Sequence, residues 1–283
     1  MDSTRSRPSS RNEQGRGGGR SGAGRLQRGS LVVVGTGIRL VGQTTLEALA
    51  RIQHAEKLFY LVNDPTTAAW IRGLNPTADT LEDCYVKGMA RRRIYQAMAA
   101  RIMSAVRSGL DVCAAFYGHP GVFVDASHEA IRRARREGFP AHMLPGISAE
   151  DCLIADLGVD PGENGCQSFE ATDFLVFRRR FDPSSSLILW QVGVLGEASV
   201  RDNMSCRPER LAVLTAALRR HYPSRHRVVL YEAAQFPTCD PMIKRIPLAR
   251  LTEQTVLPMT TLYVPPKPSR VVDARIVRWL DQG

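Results

Sequence analysis

Three short apolar runs, LVVVG (31–35), EKLFYLV (56–62) and DVCAAFYG (111–118), set the limits on what this chain can fold into. Each ends on a glycine or a polar turn, and helical periodicity fills the intervals between them. Runs bounded in this way are buried strands. Strands separated by helices build a parallel sheet, because parallel neighbours need a crossover rather than a tight turn. The first crossover is QTTLEALARIQ (43–53), with Leu46, Leu49 and Ile52 at helical spacing and Thr44 or Thr45 as N-cap. Asp64 and Pro65 open a second helix through Trp70 and Ile71. The spacing predicts an amphipathic helix over 91–108, on which Ile94, Ala97, Met98, Ile102, Ala105 and Val106 share a face, closed by Gly109. A helix over 125–137, ended by Gly138, leads to a short strand ending at Leu144 and the turn Pro145-Gly146.

That turn divides an α/β chain of two lobes: a parallel-sheet lobe over 30–145 and a mixed-sheet lobe over 146–266. In the second lobe strands are expected at FLVF (174–177), LILW (187–190), RVVLY (227–231) and TTLYV (260–264), with a basic helix near 208–221. PPKP (265–268) ends the lobe, and within 267–283 the segment 269–282 has the pattern of one more amphipathic helix.

Residues 1–29 hold seven arginines against Asp2 and Glu13, so this tail carries half of the net charge of +10. Its glycine, serine and arginine content cannot bury a core, and disorder is the expectation. Arginines of this kind could contact phosphates, but no aromatic is interleaved for base stacking, so nucleic acid is not the expected partner. No apolar stretch approaches the ~18 residues of a membrane helix, and the N-terminus has no apolar core of a secretory signal. The expected location is the cytoplasm. Cysteines 84, 113, 152, 166, 206 and 239 form no CxxC pair and have no histidine at zinc-finger spacing; they read as reduced thiols, and no metal site is expected.

Three loops follow strands: GTG (35–37), YGHPGVFV (117–124) and PGISAED (145–151). Open α/β sheets bind ligands at this edge, where glycine lets a ligand approach the backbone. The first loop is not GxGxxG, and the nearest acidic residue after the second strand, Asp64, reads equally well as an N-cap, so a dinucleotide site is disfavoured. His119 in the second loop and Ser148 in the third can each be a turn or helix cap as well as a ligand contact.

Strand–GTG–helix, GHPGVFV, LPGISAEDCL, LWQVG and TTLYVPP occur in this chain in the order seen in enzymes of the tetrapyrrole methylase fold. The run GHPGVFV…SH…LPGISAEDCLIADLGVDP…GCQSFEATDFL more specifically resembles the borosin peptide α-N-methyltransferases, over residues 31–265. The resemblance implies S-adenosyl-L-methionine as cofactor. Tyr117, His119, Val122 and Phe123 would form one wall of its pocket. Ser148 and Ala149 would meet the methionine or ribose portion, Gln191 the adenine side, and Ala233, Thr260 and Thr261 would close it from the second lobe.

The segment CYVKGMARRRIY (84–95) offers the groups that amide methylation needs. A neutral amide nitrogen is a poor nucleophile, so a base and a partner for the developing oxyanion are required. Arg91 and Tyr95 stand four apart on one helix face, and Tyr85 lies just upstream in a loop containing Gly88. Tyrosine titrates near ~10, and a neighbouring guanidinium lowers that. The family's catalytic pattern, a tyrosine loop followed by Arg-x-x-x-Tyr, falls on Tyr85, Arg91 and Tyr95. It implies Tyr85 as base, Arg91 and Tyr95 on the amide oxygen, and Tyr117 near the sulfonium. The family loop is richer in tyrosine; Glu82 and Cys84 stand here where further tyrosines are expected. Arg91, Arg92 and Arg93 can also be a solvated helix start, although cations there oppose the helix dipole.

The last 18 residues hold no long apolar core peptide, so the expectation is a precursor peptide modified in trans. A homodimer is implied by the resemblance alone. A tetrapyrrole, ribosomal-RNA or diphthine-type methyltransferase of the same fold is an alternative; its usual GxGPGD-like loop is answered here by GTGIRLVG, without the aspartate. A non-catalytic RNA-binding module acting through the tail is the third.

Overall fold

A computed structural model describes residues 29–197, 206–268 and 272–281; the tail read at 1–29 therefore lies outside it, save Gly29. Five strands, β1 (Ser30–Gly35), β2 (Lys57–Leu61), β3 (Ala78–Thr80), β4 (Asp111–Phe116) and β5 (Ala141–Met143), form one sheet in the order β3-β2-β4-β1-β5. All pairings are parallel, with Val33 opposite Ala114 and Ala114 opposite Phe59. Both faces of β1 are buried, as the unbroken run of apolar side chains requires. Leu31 and Val33 face α3 (Arg91–Arg107) and α4 (Asp125–Arg136), while Val32 and Val34 face α1 (Leu46–His54) and α2 (Pro65–Leu74). Thr45 is the N-cap of α1, accepting from Ala48 N, and Asp64 caps α2, accepting from Thr67 N at 2.8 Å. Asp64 therefore serves as a cap.

The chain continues through α5 (Ala149–Leu157), α6 (Pro161–Asn164), β6 (Cys166–Glu170), α7 (Ala171–Val176), β7 (Ser186–Trp190), α8 (Pro208–Arg219), β8 (Arg227–Glu232), β9 (Met242–Pro247), β10 (Thr261–Val264) and α9 (Ala274–Leu280). The second sheet has the order β6-β7-β10-β8-β9, with β6 and β7 parallel and the other pairs antiparallel. One face packs on α7 and α8 through Phe174, Leu187, Leu189, Leu211 and Leu214. The other presents Ile188, Trp190, Val229, Tyr231 and Tyr263 to α5 and to Ile38 of the first lobe. This apolar cluster joins the two sheets.

The sequence expectation of a strand at FLVF (174–177) is corrected. Phe174 to Val176 belong to α7, whose N-cap Glu170 accepts from Asp173 N at 2.7 Å. A four-residue apolar run does not separate strand from helix, and here a capping carboxylate decides. Phe174 is buried while Val176 and Phe177 face outward. The strand of this region is β6, which the sequence reading passed over. It also passed over β9, an edge strand whose Lys244 and Arg245 are exposed and break any alternation.

Candidate active site

The cavity opens where the carboxyl ends of β1, β2 and β4 face the end of β7. Its volume is about 460 Å³. Beyond Phe116 the chain turns through Gly118, at φ +71°, which exchanges backbone hydrogen bonds with Gly37 at 2.9 and 3.3 Å. The GTG and GHPG loops are in backbone contact: a Cβ on Gly35 would lie 2.2 Å from the Gly118 oxygen. His119 Nδ1 accepts the Gly121 N–H at 3.0 Å, so in the neutral ring the proton sits on Nε2. Ser127 Oγ ties the loop to α4 by donating to the Pro120 carbonyl at 2.5 Å.

Two non-glycine residues of the cavity wall hold left-handed backbone, Phe123 at φ +56° and Gln191 at φ +57°. Such residues persist only where their surroundings over-determine them, and they cluster at functional sites. Phe123 comes from the first lobe and meets Trp190 of the second, with ring centroids 6.0 Å apart. Ser148 caps α5 in a capping box with Asp151, and it lines the cavity as well.

Of the residues singled out in the sequence, Tyr85, Tyr95, Tyr117, His119, Val122, Phe123, Ser148, Ala149, Gln191, Ala233 and Thr261 line this one cavity. Thr260 stands behind the wall: its hydroxyl donates to the Glu232 carboxylate and accepts from Leu257 N, and it is buried. Arg91 lines an adjoining cavity of about 590 Å³ with Arg92, Gln96 and Asp125, which shares Tyr95, Phe123 and Gln191 with the first. Arg91 is the first residue of α3, and its N-cap Ala90 supplies no side-chain cap. Asn63, Trp190, Tyr231, Met259 and Glu82 also line the first cavity and were not read as site residues. Asn63 follows the end of a recognised strand, which was a usable signal. The others depend on where the second sheet and the 82–84 turn come to rest.

The tyrosines titrate high. Tyr85 is pushed up to about 12, chiefly by burial around its hydroxyl and by Tyr95; Arg91 pulls it down by less. The expected lowering by Arg91 is therefore real in sign and outweighed. Tyr117 is also pushed up to about 12 by burial, against a hydrogen bond with Asn63. Tyr95 is raised by burial, with Arg91 opposing. Among the described residues no three His, Cys, Asp or Glu side chains group as metal ligands, and no helix is long and apolar enough to cross a membrane.

The sequence profile of the Tetrapyrrole (Corrin/Porphyrin) Methylases matches residues 30–238. The "methyltransferase/ribosomally synthesized cyclic peptide dendrothelin A precursor" of Dendrothele bispora is 43% identical over 89% of this chain and 61% of its own length. The corresponding omphalotin A precursor of Omphalotus olearius is 42% identical over 89% and 61%. This chain thus spans about 61% of the length of these relatives. Among solved structures, uroporphyrin-III C-methyltransferase from Thermus thermophilus aligns with a TM-score of 0.59 at 20% identity, covering 84% of this chain and 92% of that one. Diphthine synthase aligns with a TM-score of 0.57 at 15% identity, covering 85% and 92%; both show the fold.

Proposed function

Because the chain belongs to the tetrapyrrole (corrin/porphyrin) methylase family, we propose that it is an S-adenosylmethionine-dependent methyltransferase that N-methylates backbone amides of a ribosomally made precursor peptide supplied in trans. The observation that carries this is the convergence of Tyr85, Tyr95 and Tyr117 on a cavity that both lobes wall, with the Arg91 guanidinium in the adjoining chamber.

The residues present fit the cofactor. The volume lies within the ~300–1,000 Å³ of small-molecule sites. Among the described residues no Lys or Arg lines the cavity, so a sulfonium meets no like charge there, and the Phe123 and Trp190 rings offer flat faces to a purine. Tyr117, His119, Val122, Phe123, Ser148, Ala149, Gln191, Ala233 and Thr261 would hold it, with Thr260 bracing the wall from behind. When bound, S-adenosylmethionine supplies an electrophilic methyl group. The chain's own task is to make an amide nitrogen nucleophilic. Tyr85 takes the amide proton, and Arg91 with Tyr95 holds the charge that gathers on the carbonyl oxygen. Arg91 is free for this role, with no ion pair or hydrogen bond among the described residues. A homodimer belongs to the same reading, and the exposed Ile276, Trp279 and Leu280 of α9 are the surface it would cover.

The test is mass spectrometry of the purified chain incubated with the cofactor and a panel of blocked octapeptides of varied apolar sequence. Mass gains in steps of one methylene unit, assigned to backbone nitrogens by fragmentation, are expected. A chain that binds cofactor and leaves every peptide unmodified would refute the substrate class.

A further inference from the structure

Amide methylation leaves one proton to be removed, and few groups in the cavity can take it. At neutral pH the hydroxyls of Tyr85, Tyr95 and Tyr117 keep their own protons, since burial pushes all three upward. His119 uses Nδ1 on the Gly121 N–H, and its other nitrogen is then a donor in the neutral ring. Ser148 Oγ is bonded to Asp151 at 2.6 Å. Among the described residues lining the cavity, Glu82 is the only carboxylate.

Its placement follows from the local backbone. Glu82–Cys84 is a 3-10 turn, and Tyr85 N–H closes it on the Glu82 carbonyl at 2.9 Å. Residues three apart in such a turn eclipse one another, so Glu82 and Tyr85 stand on the same side. Both line the cavity. The nearby cation Arg101 is taken by Asp83, at 2.6 and 2.7 Å, which leaves Glu82 outside that ion pair. Glu82 is exposed and therefore in contact with solvent.

We propose that Glu82 is the terminal proton acceptor of this site, reached through the Tyr85 hydroxyl. This rests on the peptide-methylation reading above. The amide N–H bond breaks and its proton passes to Tyr85 Oη, while the Tyr85 hydroxyl proton passes to the Glu82 carboxylate. The electron pair stays on the amide, shared by nitrogen and oxygen, and the nitrogen becomes neutral again on taking up the methyl group. Tyr85 is a neutral phenol before and after. Glu82 ends as a carboxylic acid and returns its proton to water. No tyrosinate accumulates, so a Tyr85 pKa of about 12 does not bar turnover.

Glu82→Gln, Glu82→Asp and Glu82→Ala, assayed on the same octapeptides, test this. Glu82→Gln should lower kcat about 100-fold, the size of a lost general base, with KM and calorimetric cofactor affinity unchanged. Glu82→Asp should retain part of the rate, and sodium formate, but not sodium chloride, should restore turnover to Glu82→Ala. A Glu82→Gln enzyme at full kcat overturns the proposal, and so does a loss of cofactor affinity in parallel with kcat or an absence of rescue by formate. Failure of the unsubstituted chain to methylate any peptide while binding cofactor removes the substrate reading and this inference together.

Discussion

The two sheets contribute differently to the cavity between them. The parallel sheet and its loops supply the groups proposed to handle charge or protons on the amide: Tyr85, Tyr95 and Glu82 in the cavity itself, and Arg91 in its annex. The mixed sheet and its loops supply Trp190, Gln191, Ala233, Met259 and Thr261, which shape and close the space. A parallel sheet puts all its carboxyl ends on one edge, so several loops converge on one point. An antiparallel arrangement divides its strand ends between two edges and offers that point a surface. The difference teaches that chemistry and enclosure are separable here, and substitutions can test the separation.

The largest effects should fall on the parallel side. Tyr85→Phe and Arg91→Ala are each expected to reduce turnover by about 100-fold or more, with cofactor affinity by calorimetry nearly unchanged. Tyr85→Phe at full rate would remove Tyr85 from the proton path. Next, Ala233→Trp and Val122→Arg should each abolish measurable cofactor binding by filling the cavity from opposite sides. Val122 belongs to the parallel side, so its failure to matter would mean that the cofactor rests wholly against the mixed sheet.

A smaller effect concerns alkaline stability. Tyr85 and Tyr117 are raised in the folded chain to about 12, whereas the unfolded chain ionises near ~10. Their contribution is complete below the unfolded value and lost as pH rises through the folded one. Denaturation midpoints should therefore fall between pH ~10 and about 12, and Tyr117→Phe should flatten part of that decline. Smallest of all, Gln191→Gly removes a left-handed conformation from a residue with a side chain. It should change stability by about 1 kcal/mol or less, in the stabilising direction, while weakening cofactor binding.

How much of this was visible beforehand depends on how local the cause is. The apolar runs of β1, β2 and β4 announce themselves because both faces are buried. The loops after them carry glycines that only a close backbone approach demands, as at Gly35 against Gly118. Phe174 was assigned to a strand because a single capping carboxylate, Glu170, outweighs a short apolar run. Edge strand β9 was invisible for the opposite reason: consecutive Lys244 and Arg245 interrupt the alternation, although Ile246 and Met242 reach the core. The site divides in the same way. YGHPGVFV and ISAED sit at ends of elements read correctly, whereas Trp190 and Tyr231 enter the cavity only once the second sheet is docked. Arg91 on one helix face with Tyr95 was legible from spacing, but the crowding that raises Tyr85 is tertiary. Thr260, which the resemblance put on the wall with Thr261, stands behind it with its hydroxyl on Glu232, a contact that only the folded second lobe creates.

The turn after β7 has one further consequence. A methyl group on Gly193 would sit 1.8 Å from the Leu257 carbonyl. The turn that carries Gln191 and the segment that leads through Pro258 and Met259 into β10 are thus fitted together with no slack. For anyone recombining this scaffold with relatives of different substrate range, these two stretches are one cassette. Exchanged together they can carry a new cavity roof; exchanged singly, they collide.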